Sequence, residues 1–164
     1  MYQKGDYVVK IPEGICKIED VMQLDIYDTD KEYYMLVPIS EKSSKIYIPT
    51  DNAEGRIRKV ISKEEALKFI KSIPEIDAKD IPNEKMREQE YKTSILSCNN
   101  EKIVSIIKSI YARKQERMEQ GKKITTTDDK YFKRAEDVLF SELSFVLNIP
   151  KDKMEQFISD TIEA

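Results

Sequence analysis

The hydrophobic positions along the chain change their spacing near residue 60. Before this point they form short runs rich in β-branched and aromatic residues, and turn-forming residues separate the runs. The runs lie at residues 7–9, 15–18, 33–37 and 46–48, and the turn signals at 12–14, 28–31 and 43–44. This spacing predicts a small antiparallel β-barrel or meander over residues 1–60.

After residue 61 the apolar residues recur at the three- and four-residue intervals of amphipathic helices. Ser62 and Glu65 form a capping box that starts a first helix, and Pro74 ends it. Residues 75–83 are typical of a linker, because they combine Pro82 with the short polar residues Asp77 and Asp80. A second helix is predicted over residues 84–96.

The later helices have clear start and stop signals. The pair Asn99-Asn100 supplies an N-cap for a helix that runs to about Met118, and Gly121 suits the end of that helix. The polar run at 125–129 begins the next helix, and Pro150 opens a last short one. The strongest apolar stripe consists of Ile103, Val104, Ile106, Ile107, Ile110 and Tyr111. The predicted fold class is therefore α+β, with a β-domain at residues 1–60 and a bundle of about five helices at 61–164.

The composition excludes most catalytic chemistry. The 164 residues include no His, which removes the commonest general base and the commonest transition-metal ligand. None of the four glycines belongs to a phosphate-binding loop. Cys16 and Cys98 are too far apart for a metal knuckle, so both are interpreted as reduced, buried thiols. We expect a non-enzymatic protein without a metal or cofactor.

Further expectations concern the cellular location of the protein, its oligomeric state and its acidic residue pairs. No apolar run approaches the length of a membrane span, and the first residues lack a signal-peptide core, so we expect a cytoplasmic protein without a membrane partner. A monomer is a separate expectation. The acidic pairs Asp28/Asp30 and Asp128/Asp129 are interpreted as a hairpin turn and a helix N-terminus rather than as carboxylate sites.

The charge is distributed unevenly. The 28 basic and 31 acidic residues give a net charge of −3, which argues against a general polyanion binder. Residues 102–123, however, carry seven basic and two acidic residues, a local balance of +5. Arg113, Lys114 and Arg117 share one flank of the predicted helix. This flank either binds phosphates or is a solvated surface with pairs such as Arg113 and Glu116.

Several short segments, in order along both halves of the chain, form one recognisable pattern. In the first half they are GDYVV at 5–9, PEGICKIE at 12–19, KEYYML at 31–36, IYIP at 46–49 with NA at 52–53, and GRIRKV at 55–60. In the second half they are residues 103–110, ARKQER at 112–117 and AEDVLFSEL at 135–143. By their shared order and spacing these segments resemble the CarD family of bacterial RNA polymerase-binding transcription regulators, and the resemblance covers essentially the whole chain.

The resemblance implies a Tudor-like or SH3-like N-terminal domain that docks on the β-subunit lobe of RNA polymerase. It also implies a helical C-terminal domain that contacts promoter DNA nonspecifically and modulates the stability of the open complex. The residues expected at DNA are Lys85, Met86, Arg87, Lys92, Arg113, Lys114, Arg117, Lys122 and Lys123. The residues expected at polymerase are Leu24, Ile26, Lys45 and Tyr47.

The chain departs from the family pattern in two places. The family commonly has a Trp before its first long C-terminal-domain helix, where the ring wedges against the edge of the transcription bubble, whereas this chain places Glu84 or Met86 there. Leu24 and Tyr47 occupy positions where the family often has arginines. A protein-interaction adaptor that docks on polymerase without touching DNA therefore stays open as an alternative.

Overall fold

The computed structural model of the protein describes residues 1–24 and 31–164. These residues form two compact units, Met1–Ile61 and Ser62–Ala164. The first unit is a β-sheet and the second is helical, so the predicted α+β class is confirmed. Ile26 and most of the predicted turn at 28–31 lie outside the described residues.

The first unit is a five-stranded antiparallel sheet with the strand order β4-β3-β2-β1-β5. Its strands are β1 (Tyr7–Lys10), β2 (Gly14–Gln23), β3 (Glu32–Pro38), β4 (Ile46–Pro49) and β5 (Arg58–Lys59). This antiparallel sheet agrees with the predicted barrel or meander, and within the described residues it is not closed, because the edge strands β4 and β5 do not pair with each other. The hydrophobic runs predicted four of these strands but not β5, which has only two residues and no apolar one.

The core of the sheet comes from alternate residues of its strands. Tyr34 and Leu36 of β3 are buried, and so are Val8 of β1 and Ile48 of β4, because side chains in a strand point alternately to opposite faces. A bulge in β2, between Ile18 and Asp20, shifts the register against β3. The sheet thus buries one face within its own unit.

The second unit contains five α-helices in the described residues, in agreement with the prediction of about five. They are α1 (Lys63–Ser72), α2 (Arg87–Leu96), α3 (Asn100–Glu119), α4 (Thr126–Leu147) and α5 (Lys151–Glu163). Short 3₁₀ turns lie at Ile73–Glu75 and Glu84–Met86 in this unit, and another lies at Ala53–Gly55 in the first unit.

The predicted helix signals are confirmed. The Ser62 side chain accepts a hydrogen bond from the Glu65 N–H, and the Glu65 carboxylate accepts one from the Ser62 N–H. The side chains of Asn99 and Thr125 cap α3 and α4. Gly121 follows α3 with φ of 76°, a conformation that favours glycine.

Helix α4 is the centre of the helical unit and packs against α1, α2, α3 and α5. The fully buried residues around it include Ile103, Ile106 and Ile110 of α3. Tyr111 was predicted in the same stripe but is exposed, because it lies one position beyond Ile110 and therefore about 100° further around the helix. The interpretation of Cys98 as buried is also wrong, since Cys98 is half-buried in the turn between α2 and α3, whereas Cys16 is fully buried.

The predicted linker at 75–83 is packed against α3. The Lys79 N–H donates a hydrogen bond to the Ser105 carbonyl, and the Ser105 hydroxyl donates one to the Asp77 carbonyl. Lys108 Nζ donates to the carbonyls of Ile73 and Ile76, and Ile81 is buried. These contacts fix the segment that leads to the 3₁₀ turn Glu84–Met86.

Candidate nucleic-acid interface

Two of the predicted DNA-contacting arginines meet at one carboxylate. Arg87 starts α2, and its Nε donates hydrogen bonds to Glu84 Oε1 at 3.1 Å and to Glu84 Oε2 at 2.7 Å. Arg113, in the second half of α3, donates to Glu84 Oε1 through Nη1. Glu84 therefore bridges the 3₁₀ turn, α2 and α3 through two charge-assisted contacts.

Both arginines are held from their other side by buried groups. Arg113 Nε lies 3.0 Å from Asp128 Oδ2 in an ion pair whose N–H is poorly aligned for a hydrogen bond. The Tyr91 hydroxyl donates to Asp128 Oδ1 at 2.9 Å and accepts a hydrogen bond from Arg87 Nη1 at 3.2 Å. Tyr91 and Asp128 are both buried, so the five side chains form a closed polar ring anchored in the helical core.

The charges of this ring influence one another. Hydrogen bonds from Arg87, and next from Arg113, hold the pKa of Glu84 below its ordinary value. Burial acts to lower the pKa of Arg87, but its hydrogen bonds to Glu84 and Tyr91 outweigh that effect and raise it. Burial raises the pKa of the Tyr91 hydroxyl. At neutral pH Glu84 is thus a carboxylate between two guanidinium cations.

A groove of about 400 Å³ runs between residues 79–87 and one face of α3. Its basic lining residues are Lys79, Arg87, Arg113 and Arg117, and its acidic ones are Asp80, Glu84 and Glu116. Side chains of both signs therefore line the groove. Arg87 and Arg113 do not form a continuous positive surface, because Glu84 lies between them.

The other predicted DNA-contacting residues surround this groove or lie beside the ends of its helices. Lys85 and Met86 are exposed on the 3₁₀ turn, next to Glu84. Arg117 Nε donates to the Lys123 carbonyl at 2.8 Å, which ties the exposed Lys122 and Lys123 to the end of α3.

Lys92 and Lys114 differ from these residues in their surroundings. Lys92 Nζ lies 3.9 Å from a Glu88 carboxylate oxygen, one helical turn away on α2. Lys114 is half-buried on α3. Of the predicted lysines, Lys85, Lys92, Lys122 and Lys123 are thus exposed, and Lys92 lies beside a carboxylate.

The predicted polymerase-contacting residues lie in the sheet unit. Tyr47 is 39% exposed on the edge strand β4, and Lys45 directly precedes that strand and is exposed. Leu24 follows β2 and is half-buried. Tyr47 and Lys45 thus mark an accessible sheet edge.

The sequence reading missed Tyr91, Asp128 and the bridging role of Glu84. Glu84 and Arg87 are three residues apart, a spacing that could have suggested their ion pair. Asp128 is separated from Tyr91 by 37 positions, so no local pattern signals that pair. Arg113 pairs with Glu84 and Asp128, whereas the sequence suggested Glu116 as its partner.

Two family models match the chain. The model described as CarD-like/TRCF RID domain matches residues 2–61, and the model described as CarD, C-terminal domain matches residues 66–159. No curated protein matches the chain. The combination of a small sheet unit and a helical unit covered by these two models defines an RNA polymerase-interacting transcription regulator. The chain belongs to the CarD family.

The described residues lack two kinds of feature. None of the helices in residues 1–24 and 31–164 is long and apolar enough to cross a membrane. The same part of the chain holds no group of three or more His, Cys, Asp or Glu side chains arranged to bind a metal ion.

Proposed function

We propose that the chain docks on the β-subunit lobe of RNA polymerase through its sheet unit and contacts promoter DNA through its helical unit, thereby modulating the stability of the open complex. The observation that carries the proposal is the match of both units, in order, to CarD-family models. The geometry of the two units supports a distinct role for each.

The edge strand β4 supports the docking role. An edge strand offers unpaired backbone N–H and carbonyl groups to which a partner strand can add. Tyr47 lies on this strand and is 39% exposed, and aromatic residues are enriched among the residues that dominate binding energies. The docking surface therefore comprises Tyr47 and Lys45, with Leu24 as a further candidate.

The basic residues of the helical unit support the DNA role. Lys85, Lys122 and Lys123 are open to solvent, and Arg117 fixes the turn that carries the latter two. Side chains of this kind bind phosphates without reading sequence. Because docking on polymerase raises the local concentration of promoter DNA, a few weak phosphate contacts suffice despite the net charge of −3.

The docking role is tested by measuring the affinity of the full chain for core RNA polymerase. Tyr47→Asp is expected to weaken binding about tenfold, because it removes a central aromatic contact and places a charge at the interface. Tyr7→Asp is the matched control, since Tyr7 is 38% exposed but lies on β1, between two neighbouring strands. Equal effects of the two substitutions would exclude the β4 edge as the docking surface.

A second candidate function is the adaptor that binds polymerase without contacting DNA. The position of Glu84 between Arg87 and Arg113 favours it, because this carboxylate neutralises two cations that were expected at phosphates. The salt dependence of promoter binding separates the two candidates, since only a phosphate-contacting protein releases counterions on DNA.

A further inference from the structure

The N–H groups of Arg87 and Arg113 converge on one point, and the Glu84 carboxylate occupies that point. Two guanidinium groups aimed at a single anion form a geometry that suits carboxylates and phosphates equally, because both offer paired oxygen acceptors. The side chains of Arg87 and Arg113 are only 17% and 25% exposed, so this point lies at the wall of the groove rather than on open surface.

The two arginines do not depend on Glu84 for their orientation. Arg87 donates through Nη1 to the Tyr91 hydroxyl and through Nη2 to the Ile81 carbonyl at 3.2 Å. Arg113 is paired with the buried Asp128. If Glu84 moved away, both guanidinium groups would remain in place with N–H groups directed at the vacated point. Such preorganisation reduces the cost of binding another anion.

Glu84 itself is less firmly held. It lies on a 3₁₀ turn of three residues, and its side chain is 59% exposed. Exposed side chains change rotamer within nanoseconds, and exposed ion pairs contribute little stability. The carboxylate can therefore leave the two arginines without any change in the buried part of the ring.

We propose that Arg87 and Arg113 form a phosphate-binding site that Glu84 blocks in the free protein, and that a nucleic-acid phosphodiester displaces the Glu84 carboxylate. The inference rests on the proposed contact between the helical unit and DNA. Arg117 and Lys79 line the same groove, and Lys85 is adjacent to Glu84 in the chain. These cations would surround a polyanionic backbone that enters the site.

Occupation of the two-arginine site by Glu84 would restrict the DNA contact of this acidic protein to the polymerase complex. In free solution a phosphate must compete with a carboxylate that is tethered beside the arginines and is therefore present at high effective concentration. When polymerase holds the promoter nearby, the effective concentration of the phosphate rises to a comparable level, and the phosphate can displace the carboxylate. Glu84 would thus suppress binding to DNA away from polymerase.

The test measures binding of the full chain to a fluorescein-labelled DNA duplex over a range of salt concentrations. Glu84→Gln is expected to raise affinity about tenfold at low salt, and to steepen the slope of log K against log salt by about one, because one more phosphate is bound. Glu116→Gln is the matched control, since Glu116 lines the same groove and the substitution removes the same charge. For this control we expect a change of less than about threefold and an unchanged slope.

Adding Arg113→Gln to Glu84→Gln should abolish the gain, which would tie it to the two-arginine site. Equal effects of Glu84→Gln and Glu116→Gln would overturn the inference, while salt-dependent binding by the unmodified protein would leave the proposed DNA contact intact. Stronger binding of Glu84→Gln to a polyglutamate peptide than to DNA, at equal ionic strength, would also overturn it in favour of an acidic protein partner.

Inorganic phosphate provides a readout that does not depend on DNA. If no form of the protein binds the duplex, the proposed DNA contact is contradicted. The phosphate site can then be tested separately, by thermal unfolding in phosphate and in chloride of equal ionic strength. A phosphate-dependent increase of a few degrees in Tm, found for Glu84→Gln and not for Glu116→Gln, would support the site. The absence of this increase would overturn it.

Discussion

Asp128 takes part both in the local cap of α4 and in a buried long-range contact. Its backbone N–H donates a hydrogen bond to Thr125 Oγ1 at 3.1 Å, as expected for the third residue of a capped helix. Its side chain is buried, accepts a hydrogen bond from Tyr91 and pairs with Arg113. The sequence predicted the helix start but not the buried pair, because the partners come from two other helices.

The buried pair predicts a large loss of stability at this position. Asp128→Asn is expected to lower the free energy of unfolding by about 3 kcal/mol, since Arg113 loses its buried counter-ion and the Tyr91 hydroxyl loses a charged acceptor. The measurement is urea unfolding followed by circular dichroism. Asp129→Asn is the matched control, because Asp129 forms only an exposed pair with Lys133 one helical turn away. Its expected cost is below about 1 kcal/mol, and a similar cost at both positions would contradict this account of Asp128.

At the scale of elements, a feature could be predicted when the residues that produce it are close together in the sequence, and could not when they are far apart. The capping box at Ser62 and the glycine after α3 depend on residues within a few positions, so their sequence signals sufficed. Strand β5 exists because Val8 and Val9 of β1 pair with it. The segment at 75–83 is ordered by Ser105 and Lys108, which lie more than 20 positions further along the chain. No property of either segment alone indicates these partners.

The 3₁₀ turn Glu84–Met86 yields a prediction about promoter opening. Met86 is 45% exposed on this turn, and Glu84 and Met86 are the two positions that the sequence comparison offers for the wedging Trp of the family. Met86→Trp is expected to lengthen the lifetime of the polymerase–promoter open complex about fivefold or more, since stacking of an aromatic ring on an unpaired base contributes about 1–3 kcal/mol. A fluorescence assay of promoter opening measures this lifetime.

Met118→Trp is the control for that experiment, because Met118 is a similarly exposed methionine on α3. We expect Met118→Trp to leave the lifetime unchanged. If Met86→Trp also has no effect, the turn does not lie at the bubble edge and the adaptor function is favoured.

At the scale of the whole molecule, the net charge of −3 is an average over two different units. Residues 1–60 carry nine basic and eleven acidic residues, whereas residues 102–123 have a local balance of +5. The family, the fold class and the basic stretch could be read from the sequence because each depends on composition or on ordered motifs. The pairing of Arg113 could not be read in this way, because Glu84 and Asp128 come next to it only after the helices pack.

The measurement that most directly tests the central claim is the salt dependence of the chain's affinity for RNA polymerase, with and without bound promoter DNA. We predict that promoter DNA raises the affinity and steepens its decrease with log salt by about one unit for each phosphate contacted. Lys122→Gln should reduce that difference by about one unit. If the affinity has the same salt dependence with and without the promoter, the chain does not contact DNA phosphates and the proposed function is contradicted.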